Sequence, residues 1–217
     1  MEPEARFCWQ CGEPREGAAP DADGKPVADP LIGRVVENRY RIVSLIARGG
    51  MGVVYKVEHV HIGKVMAMKL LHGELSGKRD VIQRFRREAE AASHLSHPNT
   101  VQIFDFGSDG GLMYLVMEYL DGDDLGVIVR RDGTVPFTRL ARIGVQLAGS
   151  VGEAHAKGIV HRDLKPENIM VLSGADGRDV IKVLDFGLAK LRTQKVSSAS
   201  LTNAGALLGT PYYMAPE

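Results

Sequence analysis

The sequence predicts an α+β fold, with strands gathered in its first half and long helices placed among and after them. Three observations carry this reading. Between residues 39 and 71, apolar runs rich in Val, Ile, Leu and Met are punctuated by glycine-bearing turns, the pattern of an antiparallel meander. Two stretches, 80–97 and 137–157, change to apolar residues spaced three and four apart, the period of an amphipathic helix. Finally, 44% of the 217 residues are hydrophobic, enough for a buried core and too many for a disordered chain.

The elements follow in order. Residues 39–46, 53–57 and 64–71 read as strands, with Gly49-Gly50 closing the first. The helix at 80–97 carries apolar residues at 81/82, 85, 89, 92 and 95. Strands return at 101–106 and 112–118, joined by Ser108-Asp109-Gly110-Gly111. The helix at 137–157 places Leu140, Ile143, Leu147, Val151 and Ala154 on one face, and Gly158 is its stop. Short strands at 169–172 and 180–184 flank the loop 173–179, and the Ser/Thr-rich stretch 190–209 reads as a surface loop.

Charge and composition narrow the function classes. Lys+Arg and Asp+Glu both number 27, so no net field draws the chain to nucleic acid or to a membrane surface. No apolar run approaches the roughly 18 residues of a membrane span, and the expected location is the cytoplasm. Two cysteines exclude a disulfide framework. Residues 1–30 hold seven acids, three bases and five of the ten prolines, and are expected to form a mobile leader. The folded part is expected over 31–217.

Several residues carry chemistry by type and position. The turn Ala47-Arg48-Gly49-Gly50-Met51-Gly52-Val53-Val54 would let backbone N–H groups approach phosphate oxygens, although a glycine-rich hairpin can also be only a hairpin. Lys69 shares strand parity with Val65 and Ala67, while Met66, Met68 and Leu70 make the opposite face apolar. Burial on both sides leaves the ammonium needing an anion. Glu88, within the apolar stripe of its helix, is one candidate, but Arg84 could pair with Glu88 instead at i,i+4. Further on stand His161-Arg162-Asp163-Leu164-Lys165-Pro166-Glu167-Asn168 and Asp185-Phe186-Gly187.

With the glycine loop, Ala67-Met68-Lys69 and Ala215-Pro216-Glu217 in order around them, these segments resemble eukaryotic-type (Hanks-type) serine/threonine protein kinases, bacterial members more than animal ones. The resemblance runs from about Arg39 to Glu217. It implies a bilobal fold, with an antiparallel sheet and one helix over about 39–120 and a mainly helical, incomplete lobe over 121–217. It implies ATP and Mg²⁺, with Lys69 on the α- and β-phosphates and positioned by Glu88, Asp163 on the substrate hydroxyl, Lys165 on the γ-phosphate, and Asn168 and Asp185 on the metal. Ala47, Gly49 and Gly52 would line the phosphates; Val54, Ala67 and Met170 the adenine; Met117 would be the gatekeeper. Glu118 and Leu120 would bond the base, and Asp124 would lie near the ribose. Lys165 and Thr210 match serine/threonine specificity, so protein Ser/Thr hydroxyls are the implied substrates. Arg162 before Asp163 marks members controlled by activation-loop phosphorylation, with Thr202 and then Ser200 as candidate sites, modified by a second copy acting in trans.

The departures from the pattern raise further expectations. The family's first loop glycine is Ala47, for which a modest effect on nucleotide affinity is expected. The sequence stops at Glu217, so a fragment of a longer kinase is expected, with the apolar face of the 137–157 helix left without partners and activity in doubt. An inactive, pseudokinase-like scaffold and a small-molecule phosphotransferase are the rival readings. Cys8 and Cys11 have the CxxC spacing of half a zinc knuckle: an unmetallated pair, or a Zn²⁺ site completed by a second copy.

Overall fold

A computed structural model describes residues 29–49, 52–71, 79–174, 176–186 and 213. They fall into two compact units. The first takes in the residues up to Gln83 together with Phe104–Tyr119, and the second takes in Arg84–Ile103 and the residues from Leu120 onward.

The first unit is built on a six-stranded sheet of order β1-β2-β3-β4-β6-β5. Its strands are β1 (Val35–Val36), β2 (Tyr40–Gly49), β3 (Gly52–His59), β4 (Val65–Leu71), β5 (Ile103–Asp109) and β6 (Leu112–Glu118). The predicted meander is present, and a short strand precedes it. The β1–β2 turn holds Glu37 and Asn38 at φ 51° and 54°, the twist of a tight hairpin, and the Arg39 amide donates to the Val36 carbonyl at 3.0 Å. Antiparallel register sets Val54 opposite Lys69 and Ala67 opposite Met117, so these four share a face. The other face carries a core of Tyr40, Ile42, Tyr55, Val57, Met66, Met68, Leu70, Tyr114 and Val116. As expected of β4, all its residues after Val65 are buried.

The second unit contains most of α1 (Arg79–Ser93), then β7 (Asp123–Asp124), α2 (Leu125–Asp132), α3 (Phe137–Ala156), a 3₁₀ turn (Pro166–Asn168), β8 (Ile169–Ser173) and β9 (Asp179–Val183). β7, β8 and β9 form a three-stranded sheet in that order. Packed in one cluster are Ala92, Leu95, Leu125, Ile128, Ile143 and Ala154 with Ile169, Val171, Ile181 and Val183 of the sheet.

Four sequence expectations change here. The helix predicted to run to residue 97 ends at Ser93. Side chains of α3 take up the backbone groups released beyond it: Glu153 accepts the amides of Ser96 (3.2 Å) and His97 (2.9 Å), and Lys157 Nζ donates to the His94 carbonyl at 2.7 Å. The strand expected from residue 101 starts at Ile103, because residues 99–101 form a parallel bridge to β9: the Val183 amide donates to Asn99, and the Val101 amide to Val183. Helix α2 was not anticipated; Asp124 caps it through Oδ1, which accepts the Val127 amide at 2.8 Å. Finally, the apolar face of α3 is not left bare. Ile143 and Ala154 are buried, with Leu147 and Val151 packed beside them, although Leu140 is 46% exposed.

The stop after α3 is as expected. Gly158 has φ 72°, its amide donates to His155, and the Ile159 amide donates to Ala154, the paired bonds of a Schellman motif.

Glycine at 52 has a packing reason. A Cβ there would stand 2.0 Å from the Leu70 carbonyl oxygen, whereas at Gly49 it would meet nothing nearer than 3.8 Å. We expect Gly52→Ala to destabilise the protein by about 2 kcal/mol or more, and Gly49→Ala by less than about 1 kcal/mol. Urea unfolding of the two variants checks the contrast.

Candidate active site

The second unit brings together most of the charged residues singled out in the sequence. Asn168 is the last residue before β8, and Asp185 follows β9 by two. The β8–β9 pairing aligns Ile169 with Val183, and the Leu184 amide donates to the Asn168 carbonyl at 2.9 Å. One end of a hairpin therefore carries both residues.

The loop that precedes β8 is tied to the same end. Nε2 of His161 lies 2.8 Å from the Leu184 carbonyl, and the Asp163 amide lies 3.3 Å from its Nδ1. A carbonyl only accepts and an amide only donates, so the imidazole is neutral with its hydrogen on Nε2. Burial pushes the His161 pKa below its ordinary value; the Leu184 carbonyl, Asp185 and Asp163 pull the other way without reversing it. The ring also packs edge-on against Phe186, with centroids 4.7 Å apart.

Around Asp163 the side chains converge. Lys165 Nζ stands 3.2 Å from Asp163 Oδ2. Asn168 Nδ2 donates to the Asp163 carbonyl at 2.7 Å and lies 3.4 Å from Oδ2. Because Nδ2 faces a carbonyl, the orientation of this buried amide is fixed, and its Oδ1 is the atom turned to other partners. Arg162 and Asp185 have φ 67° and 59°, left-handed conformations costing about 1–3 kcal/mol each that the surrounding bonds must hold.

Behind the hairpin lies a polar frame that the sequence did not reveal. Gln146 of α3 accepts the Ile181 amide (3.0 Å) and the Asn99 side-chain amide (2.8 Å), and donates to the Asp179 carbonyl (3.0 Å). Arg139 grips Asp179 with two bonds of 2.7 and 2.9 Å, and this pairing holds the guanidinium pKa up. The buried hydroxyls of Thr100 and Ser150 lie 2.7 Å apart. Only their shared helical spacing along 139, 146 and 150 could have hinted at them.

In the first unit, Lys69 is 7% exposed on the sheet face with Val54, Ala67 and Met117. Glu118 ends β6 opposite Met66, and Ala47 pairs with Val54 on the hairpin closed by Gly49 and Gly52. Of the remaining candidates in the second unit, Met170 sits opposite Asp124 across β7 and β8, Leu120 precedes β7, and Glu88 is half-buried on α1 between Phe85 and Ala89. The Arg84 side chain, Gly50, Met51, Gly187, Cys8, Cys11, Ser200, Thr202, Thr210 and Ala215-Pro216-Glu217 lie outside the described residues.

The sequence model of the protein kinase domain matches residues 40–217. The chain belongs to the protein kinase family. This kinase is 41% identical over 193 residues to serine/threonine-protein kinase pkn3 of Myxococcus xanthus, covering 88% of the chain and 35% of that protein. It is 44% identical over 191 residues to Pkn1 of the same organism, covering 87% of the chain and 26% of the relative. The crystal structure of the Mycobacterium tuberculosis PknI kinase domain aligns with a TM-score of 0.64 at 30% identity, over 71% of this chain and 62% of that one. The kinase thus spans about a third or less of the length of these curated relatives, and it has the bilobal kinase fold that the motifs implied.

The neutral imidazole gives a pH dependence of known sign. A depressed pKa in the folded state means that the unfolded chain binds more protons below about pH 6.5, so the stability due to His161 is present above that pH and lost on acidification. Denaturant midpoints at pH 7.5 and 5.5 should separate more in the wild type than in His161→Gln. An equal separation would show that His161 does not carry the effect.

Proposed function

We propose that the chain transfers the γ-phosphoryl group of Mg-ATP to serine or threonine hydroxyls of proteins. The observation that carries this reading is the cluster of Asp163, Lys165 and Asn168, tied through Leu184 to Asp185. A carboxylate, an ammonium and two hard-oxygen side chains at one end of a rigid hairpin suit phosphoryl transfer.

Asp163 accepts the hydroxyl proton as the substrate oxygen attacks the γ-phosphorus. The bond from that phosphorus to the bridging oxygen breaks, ADP departs, and the proton passes from Asp163 to solvent. Lys165, 3.2 Å from Asp163, would offset the repulsion between that carboxylate and an incoming γ-phosphate where charge develops. Asn168 Oδ1 and the Asp185 carboxylate fit Mg²⁺, which favours oxygen ligands and, when bound, neutralises phosphate charge. The family resemblance assigns the α- and β-phosphates to Lys69, with Glu88 as its proposed partner, and the adenine to Val54, Ala67, Met117 and Met170. Glu118 and Leu120 offer backbone bonds to the base. Gly49, where an added Cβ would meet only the Gly52 carbonyl oxygen at 3.8 Å, would leave room for phosphate oxygens.

Retention of Asp163, Asn168, Asp185 and Lys69 favours an enzyme over a scaffold. No described helix is long and apolar enough to cross a membrane. Thr202, then Ser200, are the residues proposed for modification by a second copy, and mapping of the 190–210 peptide after incubation with Mg-ATP reads it directly.

Labelling of a serine-containing protein substrate with radioactive ATP should fall by about 10²–10⁴ in Asp163→Asn. Equal labelling by the variant and the wild type would remove Asp163 from the role given to it.

A further inference from the structure

Asp29 lies ahead of every strand, within the stretch expected to be leader, yet its side chain is only 10% exposed. Its Oδ2 accepts the Tyr55 hydroxyl at 2.9 Å and meets Arg48 Nη2 at 3.0 Å, and its Oδ1 accepts the Leu31 amide at 3.1 Å. The backbone around it is equally tied. The Ile32 amide donates to the Asp29 carbonyl, the Gly33 amide to Ile42, and the Ile42 amide to Arg34, while Leu31 packs on the core of the first sheet. A shielded carboxylate met by a guanidinium, a hydroxyl and an amide is a strong, oriented anchor, unlike an exposed ion pair.

The partners give this anchor its meaning. Arg48 belongs to β2 and Tyr55 to β3, the two strands of the glycine-rich hairpin. Arg48 pairs with Val53, two residues from Tyr55, so both lie on the core face of the sheet, and Val54 and Lys69 lie on the other. Arg48 is also the residue directly before Gly49. The carboxylate therefore clasps both strands from behind, next to where the turn begins, on the side away from Lys69.

We propose that Asp29 is a positioning residue for the nucleotide triphosphate. It fixes the base of the glycine-rich hairpin and so sets how closely Gly49 and Gly52 approach the phosphates, without touching the ligand. This rests on the kinase reading above. A strap that merely stabilised the sheet would affect the adenosine and phosphate ends of the ligand alike; a hairpin clasp acts on the phosphate end.

The test uses the full chain, wild type beside Asp29→Asn, Arg48→Gln, the double variant and Tyr55→Phe. Each is titrated calorimetrically with the Mg²⁺ complex of a β,γ-imido ATP analogue and, separately, with adenosine. Asp29→Asn should weaken triphosphate binding about fivefold to tenfold and leave adenosine within about twofold of wild type. Arg48→Gln should match it, with little further loss in the double variant, and Tyr55→Phe should move in the same direction by less. Unchanged triphosphate affinity in Asp29→Asn overturns the proposal, and so do parallel losses for both ligands or independent, additive effects of Asp29 and Arg48. Where circular dichroism reports Asp29→Asn unfolded, Tyr55→Phe decides by the same comparison of ligands. A folded wild type that binds neither ligand counts against the kinase reading itself.

Discussion

Leu184 is the node on which the rest of the site depends. Its amide closes the β8–β9 hairpin on Asn168, and its carbonyl receives His161 Nε2. Through these two bonds a residue with an apolar side chain fixes the spacing of Asn168, Asp185 and the loop that bears Asp163. The arrangement works only with a neutral imidazole, because Nδ1 must accept the Asp163 amide while Nε2–H donates. Burial supplies that condition, and the strained backbone at Arg162 and Asp185 is held in place by the same bonds.

A second layer keeps the node still. Gln146, Arg139 and Ser150 all project from α3, and they reach Asp179, Ile181, Asn99 and Thr100. Polar groups so matched determine position as well as adding stability, since each shift of β9 would strand a donor or an acceptor away from water. The apolar residues between them, Ile143 and Ala154 against Ile181 and Val183, supply the bulk of the burial without dictating register.

Much of this was legible in the residues, and the exceptions have physical causes. The near-continuous apolar run along Val65–Leu71 disclosed a strand buried on both faces, and Gly158 disclosed the end of α3, because each signal is local. The end of α1 at Ser93 was not legible: its apolar stripe continues to Leu95, and the loop beyond it is satisfied by Glu153 and Lys157, some 60 residues away. Helix α2 was hidden because it is short and its cap, Asp124, had already been given another reading. The motif residues around Asp163 were legible by resemblance; the tautomer of His161 and the service of Gln146 depend on partners distant in sequence. Gly52 was read as yielding to phosphate, and the neighbour that its missing side chain spares is the Leu70 carbonyl.

The turn where Gly174 meets Arg178 lies at the opposite end of the β8–β9 hairpin from Asn168 and Asp185. Two five-residue strands separate the two ends by about 15 Å. The clamp of Arg139 on Asp179 and the hold of Gln146 on Ile181 stand between them. Changes of length or sequence in that distal turn are thereby insulated from the end that carries Asn168 and Asp185. One tip of the hairpin can therefore take a changed loop while the other tip stays in register.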